Sequence, residues 1–350
     1  MDLINFTPRI PTRSETVVAE SSLLEFGGKC PKQAVVCQKL GGKSAILGKI
    51  GLDRHGEEYL DFLDNQGVNT EHIGIEIGIP TGTASTFINT STGEKSVIIA
   101  GGANNRMGAG DVERARKLFT GARVAVGAAE MPLEANIAFF KLAKKRRLRT
   151  LFNAAPGLSP FSTCPVTLRE LFGYVDTLCL NETEAEALNG NVRIENVAEA
   201  KSVLEHMLLN DIYRNVRDII LTVGPDGAVV GTRDDEGKPN TLHIPAPKTK
   251  VLDVTGAGDV FMGCLAFFLA YMPGEEGQQD IAEIVRRACC VGAISAQRRG
   301  VLDSFPERKD IPQNIFNGLD RIGMSDGNCQ RQEGTEICLV SEKEEQNFHE

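Results

Sequence analysis

The residues from Asp253 to Phe261 read DVTGAGDVF. Two carboxylates flank a glycine turn, and the apolar run VFMGCLAFFLAYM follows at once. A carboxylate at the mouth of so apolar a segment is costly unless it is paired or used. Glycines just ahead of a helix let backbone N–H groups converge on an anion, and the helix dipole adds positive potential. Gly256, Ala257 and Gly258 therefore suit a phosphoryl group in transfer. Asp259 stands where a carboxylate can take a proton from an attacking hydroxyl. The plainer alternative is an Asp that only caps its helix. So short a motif does not by itself decide between them.

Further groups could do related chemistry. Asn181-Glu-Thr-Glu184 follows the apolar stretch VDTLCL and opens a helix. An amide and a carboxylate at that spacing can share a helical face. There they either cap the helix or organise a hydrated Mg²⁺ and nucleotide phosphates, because Mg²⁺ keeps its waters and takes few protein ligands. Thr222-Val-Gly-Pro-Asp-Gly227 follows DIIL and reads as a hairpin turn, which can also accept a nucleotide. Gly27-Gly-Lys29 follows LLEF and precedes a helix. Glycines there allow close approach of a polyhydroxylated ligand, and Lys29 can donate to its oxygens.

The elements that must hold these groups fall into two styles. Through about Ala100 the chain reads mainly as short strands and turns, with VVAESSLLEF, TASTFINTS and KSVIIAG as strands. Helical stretches lie between them near Pro31–Leu40 and His55–Gln66. From Asp111 helices and strands alternate: VERARKLF, ARVAVGA, LEANIAFFKLAKK, RTLFNA, VDTLCL, TEAEALN, VAEAKSVLEHML, DIILTVG and GAVVG. Such alternation implies a mostly parallel sheet covered on both faces, with ligands outside the carboxyl ends of its strands. The chemical groups above do follow strands.

Composition sets outer bounds. The chain has 350 residues, 41% hydrophobic and 24% charged, with a net charge of -9. That balance argues against a nucleic-acid partner, which usually needs a basic face. No apolar stretch reaches the roughly 18–20 residues of a membrane span, and MDLINFTPRI lacks the pattern of a signal peptide. The cysteines, at 30, 37, 164, 179, 264, 289, 290, 329 and 338, are odd in number and lack metal-ligand spacing, so free thiols are expected. The basic run Lys144–Arg149 reads as a localisation signal or, more simply, as the solvated end of a helix. Residues 324–350 are polar and acidic and are expected to form a tail without fixed structure.

In this order the groups resemble the ribokinase family of ATP-dependent sugar kinases, also called the PfkB carbohydrate kinases. The resemblance runs from Asp2 to about Pro312. It rests on Phe26-Gly-Gly-Lys29, on Asp253-Val-Thr-Gly-Ala-Gly-Asp259 with Phe261 and Gly263, and on Asn181-Glu-Thr-Glu184, Thr222-Val-Gly224 and Gly101-Gly-Ala-Asn104. It implies a three-layer α/β/α sandwich with a mostly parallel sheet and a small β-sheet lid. The kinase domain would span residues 1–323, with lid strands at about 3–27 and 82–100.

The resemblance implies phosphorylation of D-ribose at its 5-hydroxyl by ATP, with Asp259 as general base and Gly256, Ala257 and Gly258 as anion hole. Asp2, Gly28, Lys29 and Glu130 would hold the sugar, with Lys32 beside them. Asn181 and Glu184 would hold phosphate and Mg²⁺. Thr222, Val223, Gly224, Asp226 and Gly227 would line the nucleotide site, with Cys289 near the adenine. A monovalent cation, K⁺, would sit at Asp253, Thr255, Ser295, Arg298, Gly300 and Ser304. The resemblance further implies a homodimer through the lid; the free thiols favour a reducing cytosol, so a cytoplasmic, and also nuclear, location is expected.

Three departures from the family pattern carry expectations of their own. The family opens with a buried strand ending in a glycine-serine turn, whereas this chain begins at Met1-Asp2, just past it; a missing strand would leave ladder groups of a parallel sheet exposed. Lys32 stands in Gly27-Gly-Lys-Cys-Pro-Lys-Gln33 where an asparagine would bond the sugar. It either narrows the pocket, favours a more acidic acceptor, or turns aside to solvent. Cys289 replaces the usual Asn or His. The competing readings are a kinase for another sugar or a nucleoside, and a non-catalytic protein that still binds nucleotide or sugar.

Overall fold

The computed structural model describes residues 1–155, 165–272, 279–319 and 336–338. In chain order the elements are β1 (Asp2–Thr7), β2 (Ser21–Glu25), α1 (Lys29–Lys39), β3 (Ala45–Gly51), α2 (Arg54–Asn65), β4 (Asn69–Glu76), β5 (Thr83–Asn89) and β6 (Lys95–Ala100). There follow α3 (Ala109–Arg114), β7 (Ala122–Ala128), α4 (Leu133–Lys145), β8 (Arg149–Asn153), α5 (Pro165–Phe172), β9 (Thr177–Asn181), α6 (Glu182–Leu188) and α7 (Val197–Leu209). The last are β10 (Asp218–Thr222), β11 (Ala228–Arg233), β12 (Pro239–Ile244), α8 (Ala257–Tyr271), α9 (Ile281–Ser295) and β13 (Glu336–Cys338).

The main sheet has the order β12-β11-β10-β9-β8-β7-β13. Strands β7 to β10 and β13 are parallel, while β11 and β12 close one edge antiparallel. Parallel strands carry helices on both faces, and two apolar cores result. One packs α1, α8 and α9 against the sheet through Val35, Val36, Phe267, Phe268, Val285 and Val291. The other packs α4, α5 and α7 through Phe139, Phe140, Phe152, Phe172, Leu204 and Tyr213. Helix α8 is apolar all round because it is buried all round, between α1, α9 and the sheet.

A separate sheet of order β2-β1-β5-β6 forms the lid expected from the early strands. Leu3, Leu24 and Ile98 are exposed on one of its faces, and Leu23, Val97 and Ile99 on the other. Strands β3 and β4 make a parallel pair.

Two expectations from the sequence change here. VERARKLF is not one helix: α3 stops at Arg114, and a 3₁₀ turn over Arg116–Phe119 directs Leu118 and Phe119 into the core. Within the expected tail, Glu336–Cys338 is a strand on the free side of β7, so that stretch of ladder is paired and not exposed. The rest of that tail, residues 320–335 and 339–350, lies outside the described residues, as do Cys164 and Cys329. Cys30, Cys37, Cys179, Cys264, Cys289 and Cys290 are free thiols. Among the described residues no helix is long and apolar enough to cross a membrane.

Candidate active site

The carboxyl ends of the parallel strands line up by register. Ala128 of β7 lies opposite Asn153 of β8, Asn153 opposite Cys179 of β9, and Asn181 of β9 opposite Thr222 of β10. Glu130, the Asn181 cap and the Thr222 turn therefore open at one end of the sheet. The half-buried Arg149 and the buried Thr177 and Asp218 form a polar cluster at the opposite end.

Helix α8 begins at this open end. Its N-cap, Gly256, is left-handed with φ 84, and a side chain there would meet Phe305 at 2.9 Å. Only glycine enters that turn without strain. The N–H of Ala257 is taken by the carbonyl of Val254 at 3.1 Å. The N–H groups of Gly258 and Asp259 follow in the first helical turn, where no earlier carbonyl of the helix can accept them. Of the expected anion hole, Gly258 and the next N–H thus point out of the helix most freely.

Asp259 is 3% exposed. Its side chain makes no helix cap. Instead, Oδ2 lies 3.1 Å from Nζ of Lys32, and Oδ1 lies 3.8 Å from Nζ of Lys29 and has no hydrogen-bond partner. The capping reading of Asp259 therefore falls away. Lys32 does not turn to solvent either, since its side chain is only 13% exposed. Burial works to lower its ammonium, but the charges of Asp259, Asp2 and Glu130 outweigh this and raise it.

The acceptor side is built from α1, the lid base and the loop after β7. The Lys29 N–H donates to Glu130 Oε2 at 2.6 Å. Burial pushes the Glu130 carboxyl up, partly offset by that bond and by Lys29 and Lys32. Asp2 packs its carboxylate where a side chain on residue 27 would sit, at 1.9 Å, so Gly27 is required for that approach. Tyr59 donates its hydroxyl to the Gly27 carbonyl and its ring meets Phe26 and Phe62. Gly28 is the N-cap of α1. Lys29, Lys32, Glu130, Asp2 and Asp259 thus lie near one another. Tyr59 and the half-buried Cys30 were missed; neither carries a spacing signal in the sequence.

On the side expected to hold the nucleotide, Asn181 and Glu184 form a reciprocal cap: the Glu184 N–H reaches Asn181 Oδ1 at 2.9 Å, and the Asn181 N–H reaches Glu184 Oε2 at 3.0 Å. This is the capping arrangement foreseen as the alternative. It leaves Glu184 Oε1 outside the cap, and the donor set, one carboxylate beside an amide, suits a hydrated Mg²⁺. Burial raises the Glu184 carboxyl, while Lys29 acts on it in the opposite sense, which ties this group to the acceptor side. Gly224–Asp226 is a 3₁₀ turn between β10 and β11, with Val223 buried and the Asp226 carbonyl 2.7 Å from His243 Nε2. Cys289 is 6% exposed within the α8–α9 core, and burial pushes its thiol up to about 12.

The Asp253 loop forms a third group. Asp253 accepts from the N–H groups of Thr255 at 2.9 Å and Gly300 at 3.1 Å. Burial alone would raise its carboxyl, but these bonds and the Arg299 charge bring it below the usual range. Ser295 and Ser304 are buried and give their hydroxyls to the carbonyls of Gly292 and Val301. Arg298 directs its guanidinium to Asp310 at 3.2 Å, so its main chain alone is available to a cation. One carboxylate amid carbonyls and hydroxyls suits a hard monovalent cation better than a divalent one.

A three-layer α/β fold with a glycine-opened helix start, a buried carboxylate and lysines at its strand ends defines a phosphotransferase of the carbohydrate-kinase class. The chain belongs to the pfkB family of carbohydrate kinases, whose family model matches residues 1–308. It is 32% identical to the ribokinase of Mus musculus over 315 residues, covering 90% of this chain and 92% of that one. Among solved structures it is similar to the ribokinase of Giardia lamblia, with TM-score 0.77, 25% identity and coverage of 91% and 96% of the two chains. It is also similar to Arabidopsis thaliana ribokinase complexed with ribose and ATP, with TM-score 0.70, 25% identity and coverage of 91% and 95%.

Proposed function

We propose that the protein phosphorylates D-ribose at its 5-hydroxyl with ATP. The observation that carries this reading is the buried Asp259, with one oxygen that takes no hydrogen bond, in the first turn of a helix whose N–H groups open beside it. A hydroxyl placed against that oxygen would lose its proton to Asp259 as it attacks the γ-phosphorus. Negative charge growing on the phosphoryl oxygens would meet the N–H groups of Gly258 and Asp259, and the α8 dipole. Asp2, Gly28, Lys29 and Glu130 would orient the sugar, and Thr222–Gly227 would line the nucleotide site.

When bound, Mg²⁺ at Asn181 and Glu184 would screen phosphate charge, and K⁺ at the Asp253 loop would add positive potential behind the anion hole. Residues 1–323 would form the kinase domain, with the lid closing over the sugar to exclude water. The names of the relatives, and the ribose and ATP bound by the Arabidopsis protein, support this choice of substrate. A second reading, another sugar or a nucleoside as acceptor, is favoured by Lys32 alone.

The test is ADP release measured against ribose, fructose, 2-deoxyribose and adenosine. Ribose should be turned over, and Asp259→Asn should lower kcat by about 10²–10⁴ while ATP still binds. Turnover of another acceptor alone would shift the reading to that kinase. No turnover with intact ATP binding would leave a non-catalytic binding protein.

A further inference from the structure

The strand beside β7 in the main sheet comes from a remote part of the chain. Glu336–Cys338 runs parallel to β7, with Glu336 opposite Ala122, Ile337 opposite Val124 and Cys338 opposite Ala125. The same strand touches β3 and helix α8. It therefore lies between the main sheet and the β3–β4 pair. Val124, Ala125, Val126 and Ala128 of β7 are all buried, so a bare ladder edge there would hold unpaired N–H and C=O groups away from water.

The sequence supplies a second, independent sign. Ile337-Cys-Leu-Val340 is a run of apolar residues in an otherwise polar and acidic stretch. Strands buried inside parallel sheets read as such continuous apolar runs. A tail that needed only to stay in water would have no use for it.

We propose that β7 and β3 form a strand-accepting slot, and that Glu336–Cys338 is its occupant and a structural part of the catalytic fold. The consequence reaches the site from two sides. β7 leads within two residues to Glu130, which holds the Lys29 N–H. Helix α8, which rests on the same strand, carries Asp259 in its first turn. Removing the occupant would loosen both walls of the acceptor side at once. The activity part of this proposal rests on the kinase reading above; the occupancy itself does not.

Hydrogen exchange on the full-length chain tests the occupancy directly. Amides of residues 336–338 should exchange about a hundred-fold or more slowly than in a free peptide, and amides of β7 should share that protection. Ile337→Pro removes an N–H and fixes φ, so it should speed exchange along β7, lower Tm and cut ribose-dependent ADP release about ten-fold or more. Ile337→Val should restore all three. Exchange at the free-peptide rate in residues 336–338 of the unaltered chain would overturn the proposal, even if the proline variant failed to fold. So would a proline variant with unchanged Tm and unchanged β7 exchange. Protection of residues 336–338 in a chain that turns over no acceptor would keep the slot and sink the kinase reading instead.

Discussion

The ammonium of Lys32 stands 3.1 Å from Oδ2 of Asp259, so α1 delivers a cation onto the carboxylate proposed as the base. Asp259 is buried and Lys32 is half-buried, and Asp2 and Glu130 add to the field that keeps Lys32 charged. An acceptor hydroxyl must share Asp259 with this lysine or displace it. Either way binding is opposed before chemistry begins. Lys32→Asn should therefore lower KM for ribose by about three- to ten-fold with a smaller change in kcat. Steady-state kinetics of ADP release give both numbers, and an unchanged KM would mean that Lys32 leaves the sugar's path in the complex.

That pair also shows how far the sequence could be read. DVTGAGDVF and the glycines at Gly27 and Gly28 announced themselves, because an anion-binding helix start and a close sugar approach both demand glycine at fixed places. The alternation after Asp111 gave the sheet and both helical layers because the middles of its strands are apolar. The lysine's partner was not legible, since it depends on how α1 crosses α8, elements far apart in the chain. β3 was hidden by Lys49, a charge in mid-strand that pairs with Glu76 and Asp111 at 2.6 and 3.2 Å. β12 was hidden by its leading proline and its polar alternation on a sheet edge. Cys289 could not be placed from type alone, because its surroundings are set by α8 and α9 packing together.

The Asp253 loop should make the reaction sensitive to the monovalent cation. Asp253 is held by Thr255 and Gly300, with buried Ser295 and Ser304 nearby in the chain segments that close the loop. A cation there would add charge directly behind the Gly256 turn. Phosphoryl transfer should run about ten-fold faster in K⁺ than in Na⁺ at equal ionic strength, and Asp253→Ala should erase the difference. Equal initial rates in the two salts would remove the cation from the mechanism.

The outer face of the lid should carry the homodimer contact. Ile98 is 67% exposed, and by register Leu3 and Leu24 stand beside it on the same face, while Leu23, Val97 and Ile99 are exposed on the opposite face. A patch of this kind on an enzyme lid is a liability unless another surface covers it. Light scattering should give the mass of two chains at micromolar concentration. Ile98→Glu should yield one chain, with KM for ribose raised as the lid loses its support. A monomeric unaltered protein would refute the contact.

Acid should weaken the α9 end of the core through Glu283. Its carboxylate accepts from Arg286 at 2.6 and 2.7 Å and from the buried Arg287 at 2.7 Å. Arg287 in turn holds the Ile315 carbonyl at 2.8 Å and lies over the Phe268 ring of α8. Arg286, ahead of Arg287, brings the Glu283 carboxyl down to about 2. Because the folded value lies below the unfolded one, the stabilisation is complete above the ordinary carboxyl value of about 4.3 and is lost as pH falls toward about 2. Partial solvent screening leaves a contribution of about 1–2 kcal/mol at neutral pH. Urea midpoints should therefore separate the unaltered chain from Glu283→Gln at pH 6 and converge as pH drops through 4 to 3. A constant gap between the two across that range would show that the carboxylate charge contributes nothing to holding α9 in place.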